Sequence, residues 1–223
     1  DVCLQNLPVV IAVDRAGLVG NDGETHQGVF DLSFLSTIPN LTIMSPKNRW
    51  EMADMLRFAV DFQYPIALRY PRGTAYEGMR QFRTPVEYGK SEVLYEEEDI
   101  AIIFVGHMAR LADSVRRKLK ETGYSCTLVN ARFVKPLDGA LLEELAEDHR
   151  IFVTIEENVI AGGFGEQVLD YVSRAKLDVH VCNIGISDDY VEHGNVEMLR
   201  RETGLDRDMI VKRIVTDYLM IEE

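Results

Sequence analysis

The sequence predicts an α/β protein of mainly parallel sheets with flanking helices, and three observations carry that reading. Short β-branched apolar runs alternate with stretches of helical periodicity, the pattern of parallel strands joined by crossover helices. Over 223 residues the chain is 46% hydrophobic and 27% charged, a globular balance that excludes a disordered or fibrous chain. No apolar run approaches the roughly 20 residues of a membrane span, and the N-terminus lacks the basic-then-apolar profile of a secretion signal. A chain of this length holds one large domain or two modest ones. Its elements divide into an incomplete first domain over residues 1–76, a linker over 77–98 and a complete second domain over 99–223.

Taken in order, residues 7–13 form an apolar run ending in Asp14-Arg15, which reads as a strand buried on both faces. A polar, glycine-rich loop follows over 17–28, and residues 41–44 read as a second strand. Ser45 then serves as N-cap and Pro46 as first residue of a helix to Asp61, with Trp50, Met55, Leu56 and Ala59 as its buried stripe. Residues 65–69 read as a third strand, ending at Tyr70-Pro71-Arg72-Gly73. Three strands and one long helix make a poor independent domain. With no initiator methionine and a strand so near the end, Asp1 is expected not to be a natural start, and residues 1–76 to be the back half of a larger domain. Residues 74–98 show no clear periodicity and end in Glu96-Glu97-Glu98-Asp99, which places the linker there. Beyond it, strands are expected over 100–105, 125–130, 151–155 and 179–184, with helices over 108–121, 138–148, 165–175, 196–203 and 209–220.

The net charge is −13, which argues against nucleic acid or an anionic membrane as partner, since both call for a basic face. The excess is uneven: residues 1–76 hold 6 basic and 8 acidic side chains, residues 77–223 hold 18 and 29. An anionic small molecule therefore meets less repulsion at the first segment. Cys3, Cys126 and Cys182 have no close spacing, so neither a disulfide framework nor a zinc site is indicated, and a reducing cytoplasm fits.

Candidate chemistry gathers at strand-to-loop junctions, where open α/β sheets collect their ligands. Arg15 stands at the first, and its rigid fork of five donors suits a phosphate or carboxylate. Pairing with Asp14 or Asp22 to fix the loop is the alternative. Asp22, Glu24 and His26 crowd residues 20–28 with three glycines, which allow unusual backbone angles and close ligand approach. A histidine beside a carboxylate can move protons near neutral pH. Metal ligation is a rival that lacks a second histidine at ligand spacing, and an ordinary surface loop is the plain reading. Arg69-Tyr70-Pro71-Arg72-Gly73 is a second junction. Neighbouring parallel strands would bring Arg15 and Arg72 to one sheet edge, able to clamp one phosphate, with Arg69, nearer the strand interior, structural.

In the second segment Gly162-Gly163-Phe164-Gly165 precedes a helix. It lacks the spaced glycines of a dinucleotide site and the lysine of a P-loop, so close strand–helix packing is preferred to a phosphate cradle. Glu156-Glu157 are either paired acids or an acidic strand end. His107, His149 and His180 are isolated and read as surface or capping residues, and His193 as a turn residue.

Several of these runs together resemble the 1-deoxy-D-xylulose-5-phosphate synthases. They are Asp14-Arg15-Ala16-Gly17-Leu18-Val19-Gly20, Asp22-Gly23, Thr25-His26-Gln27-Gly28 and Phe30-Asp31-Leu32. Arg69-Tyr70-Pro71-Arg72-Gly73 and Arg132-Phe133-Val134-Lys135-Pro136-Leu137-Asp138 follow, then Glu156-Glu157-Asn158 with Gly162-Gly163, Asn183-Ile184-Gly185 and His193-Gly194. The matches run through nearly the whole chain in family order. Glu24 departs from the proline usual there, which bears on loop stiffness and removes no proposed ligand.

The resemblance implies the end of a transketolase-like pyrimidine-binding domain followed by a complete transketolase C-terminal-type domain. It implies a thiamine-diphosphate-dependent transferase that condenses pyruvate with glyceraldehyde 3-phosphate, releasing CO2 and giving 1-deoxy-D-xylulose 5-phosphate for isoprenoid precursors. By the match, Arg15 and Arg72 bind the acceptor's phosphate, and His26 and Asp22 line the pocket, orient hydroxyls and move protons. The principal ligands of thiamine diphosphate and Mg2+, and the glutamate that activates the cofactor, are expected in a missing N-terminal part. The chain alone is expected to be inactive, and the whole enzyme to be a cytoplasmic homodimer. Transketolases share the Thr-His-Gln loop but fit the runs at 14–20 and 69–73 poorly. The β-subunits of 2-oxoacid dehydrogenases usually lack this histidine loop and arginine pair. A non-catalytic dimerisation and cofactor-covering subunit of a split enzyme is the alternative from another class.

Overall fold

In a computed structural model, which describes residues 1–222, the chain forms two sheets with helices on their faces. The first sheet contains β1 (Val10–Val13), β2 (Thr42–Met44) and β3 (Ile66–Arg69), with β1 and β2 each parallel to the central β3. Its fourth strand, β7 (Phe133–Lys135), is sent across from the second half and runs antiparallel to β2. The expectation that the first strand is buried on both faces is wrong. Among the described residues β1 has β3 as its one neighbour, and its alternate residues are exposed, Val10 by 36%. β3, flanked on both sides, is buried at all four positions.

One short helix the sequence did not announce and one long helix it did complete this half. Helix α1 (Asp31–Ser36) forms where the Leu32 amide donates to Asn158 Oδ1 of the second half, at 3.1 Å. Helix α2 (Arg49–Asp61) begins three residues later than expected, because Asn48 and not Ser45 is its N-cap and accepts from the Glu51 amide. Ser45 instead donates to the Arg69 carbonyl at 3.1 Å. The buried stripe is Glu51, Met55 and Ala59, with Trp50 half-buried and Leu56 46% exposed, because Glu51 is drawn inward to the buried Lys47.

The segment expected as a bare linker over 77–98 contains β4 (Glu92–Tyr95), an edge strand antiparallel to β6 (Cys126–Asn130). Its alternation is hidden because the inward residues are Glu92 and Leu94, one of them charged. The second sheet has the order β4-β6-β5-β8-β9, with β5 (Asp99–Phe104), β6 (Cys126–Asn130), β8 (His149–Val159) and β9 (His180–Ile186) mutually parallel. Helices α3 (Ala109–Glu121), α4 (Gly139–Asp148), α5 (Phe164–Ala175), α6 (Val196–Glu202) and α7 (Arg207–Glu222) lie close to their expected bounds. β8 runs four residues past its expected end, through Glu156, Glu157 and Asn158, which are fully buried. No helix among the described residues is long and apolar enough to cross a membrane.

The period of two along β5 divides the core. Ile100, Ile102 and Phe104 face one cluster with Val115, Leu119, Ile210 and Ile214. Ala101 and Ile103 face another, which takes in Leu32, Ile43 and Ala67 from the first half, so one core spans both. A buried ionic network also joins them. Lys47 Nζ donates to Glu51 Oε1 at 2.9 Å and Glu92 Oε2 at 2.6 Å. Arg132 reaches the same two carboxylates at 2.8 and 3.0 Å, and Asn130 donates to Glu51 at 2.9 Å. Two cations balance two carboxylates, the condition under which buried charge is tolerated.

Candidate active site

β1 and β3 leave their sheet side by side, with Val13 opposite Arg69. The Ala16 amide donates to the Tyr70 carbonyl at 3.0 Å, which keeps the two departing loops together. Arg15 adopts a left-handed backbone, φ +61°, a conformation that costs a non-glycine residue about 1–3 kcal/mol and recurs at functional sites. Its guanidinium pairs with Asp14, and its Nε lies 3.8 Å from Asp22 Oδ2. Arg72 Nη1 reaches that same oxygen at 2.5 Å. Arg15, Asp22 and Arg72 therefore meet, as neighbouring parallel strands predict. Both arginines are about half-exposed, so these ion pairs are individually weak and the guanidinium groups keep spare donors.

His26 is not brought into this group. It ends a single 3₁₀ turn (Glu24–His26), is exposed, and shares a 2.9 Å hydrogen bond between its Nδ1 and Thr25 Oγ1. Among the described residues no hydrogen bond or ion pair joins it to Arg15, Asp22 or Arg72. Arg69 is structural, as expected. Fully buried, it donates to the carbonyls of Gly28 (2.8 Å) and Glu157 (3.1 Å) and to Asp31 Oδ2 at 3.3 Å.

The loop is pinned along its length. Gly17 and Gly28 exchange backbone hydrogen bonds of 2.8 Å, and the Val19 amide donates to Gln27 Oε1 at 2.6 Å. Gln27 in turn donates to the Glu192 carbonyl at 3.1 Å, and the Gly194 amide donates to the Gly20 carbonyl at 3.2 Å. His193 lies in the adjoining turn, as expected.

The three polar residues ending β8 each serve a different element. Asn158 caps α1. Glu156 accepts from the amides of Phe164 (2.9 Å) and Gly165 (2.8 Å) at the start of α5. Its carboxylate thus fills the turn at Gly163-Phe164-Gly165, and the packing reading of that motif holds. Glu157 accepts from the Leu18 amide at 3.1 Å, His107 Nε2 at 2.7 Å and Arg200 Nε at 2.6 Å. Burial pushes Glu156 up to about 7. For Glu157 burial pushes the same way, but His107 and Arg200 outweigh it and hold the carboxyl down at about 2.

His107 is thereby no surface residue: its side chain is nine-tenths buried and its partner is Glu157. His149 does cap α4, bonding the Leu145 carbonyl at 2.7 Å, but from a buried position that also reaches Thr127 Oγ1 at 2.8 Å. His180 is exposed. Burial pushes the thiols of Cys126 and Cys182 up to about 12, which leaves neither a nucleophile at neutral pH.

Between the halves lies a cleft of about 730 Å3 walled by Leu18, Arg72, His107, Arg110, Glu157 and Arg200 among others. Arg72 lines it, whereas Arg15, Asp22 and His26 do not. Among the described residues no group of three or more His, Cys, Asp or Glu is placed to hold a metal ion. The amides at the start of α5 are already satisfied by Glu156.

The family described as transketolase, pyrimidine binding domain, matches residues 1–77, and transketolase, C-terminal domain, matches residues 89–210. The chain belongs to the transketolase family. Within that family it is 49% identical over 215 residues to the 1-deoxy-D-xylulose-5-phosphate synthase of Lachnoclostridium phytofermentans, covering 96% of this chain and 34% of that protein. The same enzyme from Carboxydothermus hydrogenoformans is 49% identical over 213 residues, covering 94% and 34%. The chain thus spans about a third of the length of the curated relatives it matches. A solved structure described as a split gene transketolase, inactive beta4 tetramer, superposes with a TM-score of 0.87 at 26% identity, covering all of this chain and 70% of that one. Transketolase from Campylobacter jejuni shares the fold, with a TM-score of 0.70 at 19% identity over 93% of this chain and 31% of that one.

Sequence reasoning left the role of Glu157 in this transketolase-family chain open, and it missed His107 and Arg200. The Glu156-Glu157 pair was a visible signal, but nothing in the sequence pairs it with a histidine 50 residues earlier or a loop 139 residues earlier.

Proposed function

We propose that this chain carries the acceptor-binding edge of a 1-deoxy-D-xylulose-5-phosphate synthase, which condenses pyruvate with glyceraldehyde 3-phosphate and releases CO2. The observation that carries the reading is the meeting of Arg15 and Arg72 on one carboxylate at the end of two parallel strands. Two guanidinium groups directed at one oxygen are suited to a phosphate monoester, whose charge and several acceptor oxygens exceed those of Asp22. On binding, the phosphate displaces Asp22 from Arg72, freeing the carboxylate to orient the acceptor's hydroxyl. His26, exposed on the same loop, is assigned to proton movement only as the acceptor brings the loop together.

Thiamine diphosphate and Mg2+ would be held by residues outside this chain, and the working enzyme is proposed to be a cytoplasmic homodimer of a longer polypeptide in which residues 77–98 join the two domains. The test is an assay of that longer polypeptide with both substrates. Formation of 1-deoxy-D-xylulose 5-phosphate with CO2 is expected; ketol transfer between sugar phosphates without decarboxylation would contradict the assignment.

The likeness to a split gene transketolase supports a second reading, a non-catalytic subunit that completes its pocket with a separate chain. Calorimetry separates it from cofactor binding by this chain itself. On either reading thiamine diphosphate with Mg2+ binds the isolated chain negligibly, and micromolar affinity would contradict both.

A further inference from the structure

Glu157 lies in the second half of the chain, yet its side chain is built against the loop of the first. Both carboxylate oxygens are engaged: Oε1 accepts from Arg200, and Oε2 accepts from His107 and the Leu18 amide. The fit to the loop is close. A methyl group at Gly17 would stand 2.0 Å from Glu157 Oε2, so it would force that carboxylate aside, and the backbone there, at φ +74°, would strain any residue with a side chain. The main chain of Glu157 serves the other end of the same loop. Its carbonyl accepts from Arg69 Nη2, which also donates to the Gly28 carbonyl.

His107 makes its side-chain hydrogen bond through Nε2 to Glu157, while its Nδ1 is buried with no hydrogen-bond partner. Buried polar atoms are rarely left so, and the contact that retains this ring is the one to Glu157. Between Gly17 and Gly28 stands Asp22, and two residues before Gly17 stands Arg15. The loop that carries two of the three converging charged groups is therefore clamped, at both ends, by one residue of the other half.

We propose that Glu157, set by His107 and Arg200, is a positioning residue that fixes the loop carrying Arg15 and Asp22. The effect on turnover rests on the acceptor-binding role proposed for those residues; the effect on the loop does not. The chemistry makes the device sensitive to a single atom. A carboxylate can accept from three donors, whereas an amide of the same shape offers one acceptor oxygen and two hydrogens that oppose Leu18, His107 or Arg200. Glu157→Gln consequently leaves at least one buried donor unpaired without emptying the space.

The experiment compares the longer polypeptide, unaltered and as Glu157→Gln, by amide hydrogen exchange and by kinetics with pyruvate and glyceraldehyde 3-phosphate. Exchange at residues 17–20 is expected to accelerate at least about tenfold while β5 and β8 keep their protection. The KM for glyceraldehyde 3-phosphate is expected to rise about tenfold, with kcat and the pyruvate KM changing less than about threefold. Unaltered exchange at 17–20 in a folded variant would overturn the proposal. So would a uniform loss of protection through the second domain, which would make Glu157 a general stabiliser. If Glu157→Gln does not fold, Arg200→Ala takes its place, because Arg200 is one-third exposed and its removal strands no buried donor; the same signs apply. Arg72→Ala is the control for the acceptor site. Should it leave the acceptor KM unchanged while Glu157→Gln loosens the loop, the positioning stands and the assigned function falls.

Discussion

Asp22 stands between Arg15 and Arg72, where the proposed acceptor phosphate would sit, so binding there would be a competition between an internal carboxylate and an external anion. Neutralising the internal competitor leaves Arg72 without its carboxylate and Arg15 with Asp14 alone. Asp22→Asn is therefore expected to lower the inhibition constant of inorganic phosphate against glyceraldehyde 3-phosphate several-fold, while kcat falls because the group proposed to orient the acceptor's hydroxyl is gone. Weaker phosphate inhibition in that variant would show that Asp22 helps to build the site and does not compete for it. A second residue-scale consequence comes from Glu156 and Glu157, neighbours displaced in opposite directions. Glu156 has a folded pKa near 7 against 4.5 when unfolded. It binds its proton more tightly in the folded state, so the stability it contributes is present below pH 4.5 and lost as pH rises through 7. Glu157, held near 2, contributes above pH 4.5 and loses that contribution as pH falls towards 2. Melting temperatures between pH 5 and 8 test the first: the decline with rising pH should flatten in Glu156→Gln, and an unaltered slope would contradict it.

Among the elements, β7 couples the two sheets through three residues. Phe133 is buried, opposite Met44 in the strand register, with its ring centroid 5.9 Å from that of Phe58 and 6.0 Å from that of Tyr88. Lys135 donates to the carbonyls of Ser36 (2.9 Å) and Ile38 (2.7 Å). Removing the ring leaves a cavity at the seam, and Phe133→Ala is expected to cost about 3–5 kcal/mol of unfolding free energy in denaturant titration; a loss under about 1 kcal/mol would mean that the sheets are held together elsewhere. This strand also marks how far local pattern reaches. The parallel strands of the second sheet and their helices were legible because apolar residues repeat at strand and helix periods. β7 was not, since Phe133-Val134-Lys135 before a proline has no period until β2 supplies its partner. β4 was hidden for another reason: its inward face includes Glu92, which only a neutralising Lys47 and Arg132 allow to be buried. The convergence of Arg15 and Arg72 followed from two parallel neighbours, whereas the placing of His26 depended on loop geometry that the glycines leave free.

The whole molecule behaves as one unit because polar groups as well as apolar ones cross between its halves. Burial would raise the Glu92 carboxyl, but hydrogen bonding to Lys47 and the charges of Lys47 and Arg132 hold it below its usual range. Its contribution to stability is therefore present above the unfolded pKa and lost as pH falls. Lys47→Met leaves two buried carboxylates facing one arginine, and breaking such a group by removing one partner costs about 3–5 kcal/mol. Adding Glu92→Gln restores the charge balance and should return part of that loss; no recovery in the double variant would show that Lys47 acts by packing alone. The loop at the sheet edge inherits its order from this union, since the residue that clamps it lies on the far side of the seam.

The most direct test of the acceptor site compares glyceraldehyde 3-phosphate with unphosphorylated glyceraldehyde, using the longer polypeptide and its Arg15→Ala/Arg72→Ala variant. Each charge-assisted bond is worth about 1.5–3 kcal/mol, or roughly ten- to a hundredfold in kcat/KM. The preference for the phosphorylated acceptor should accordingly fall at least about a hundredfold in the double variant, with the pyruvate KM unchanged. A preference as strong as that of the unaltered enzyme would place the phosphate elsewhere and remove both arginines from the site.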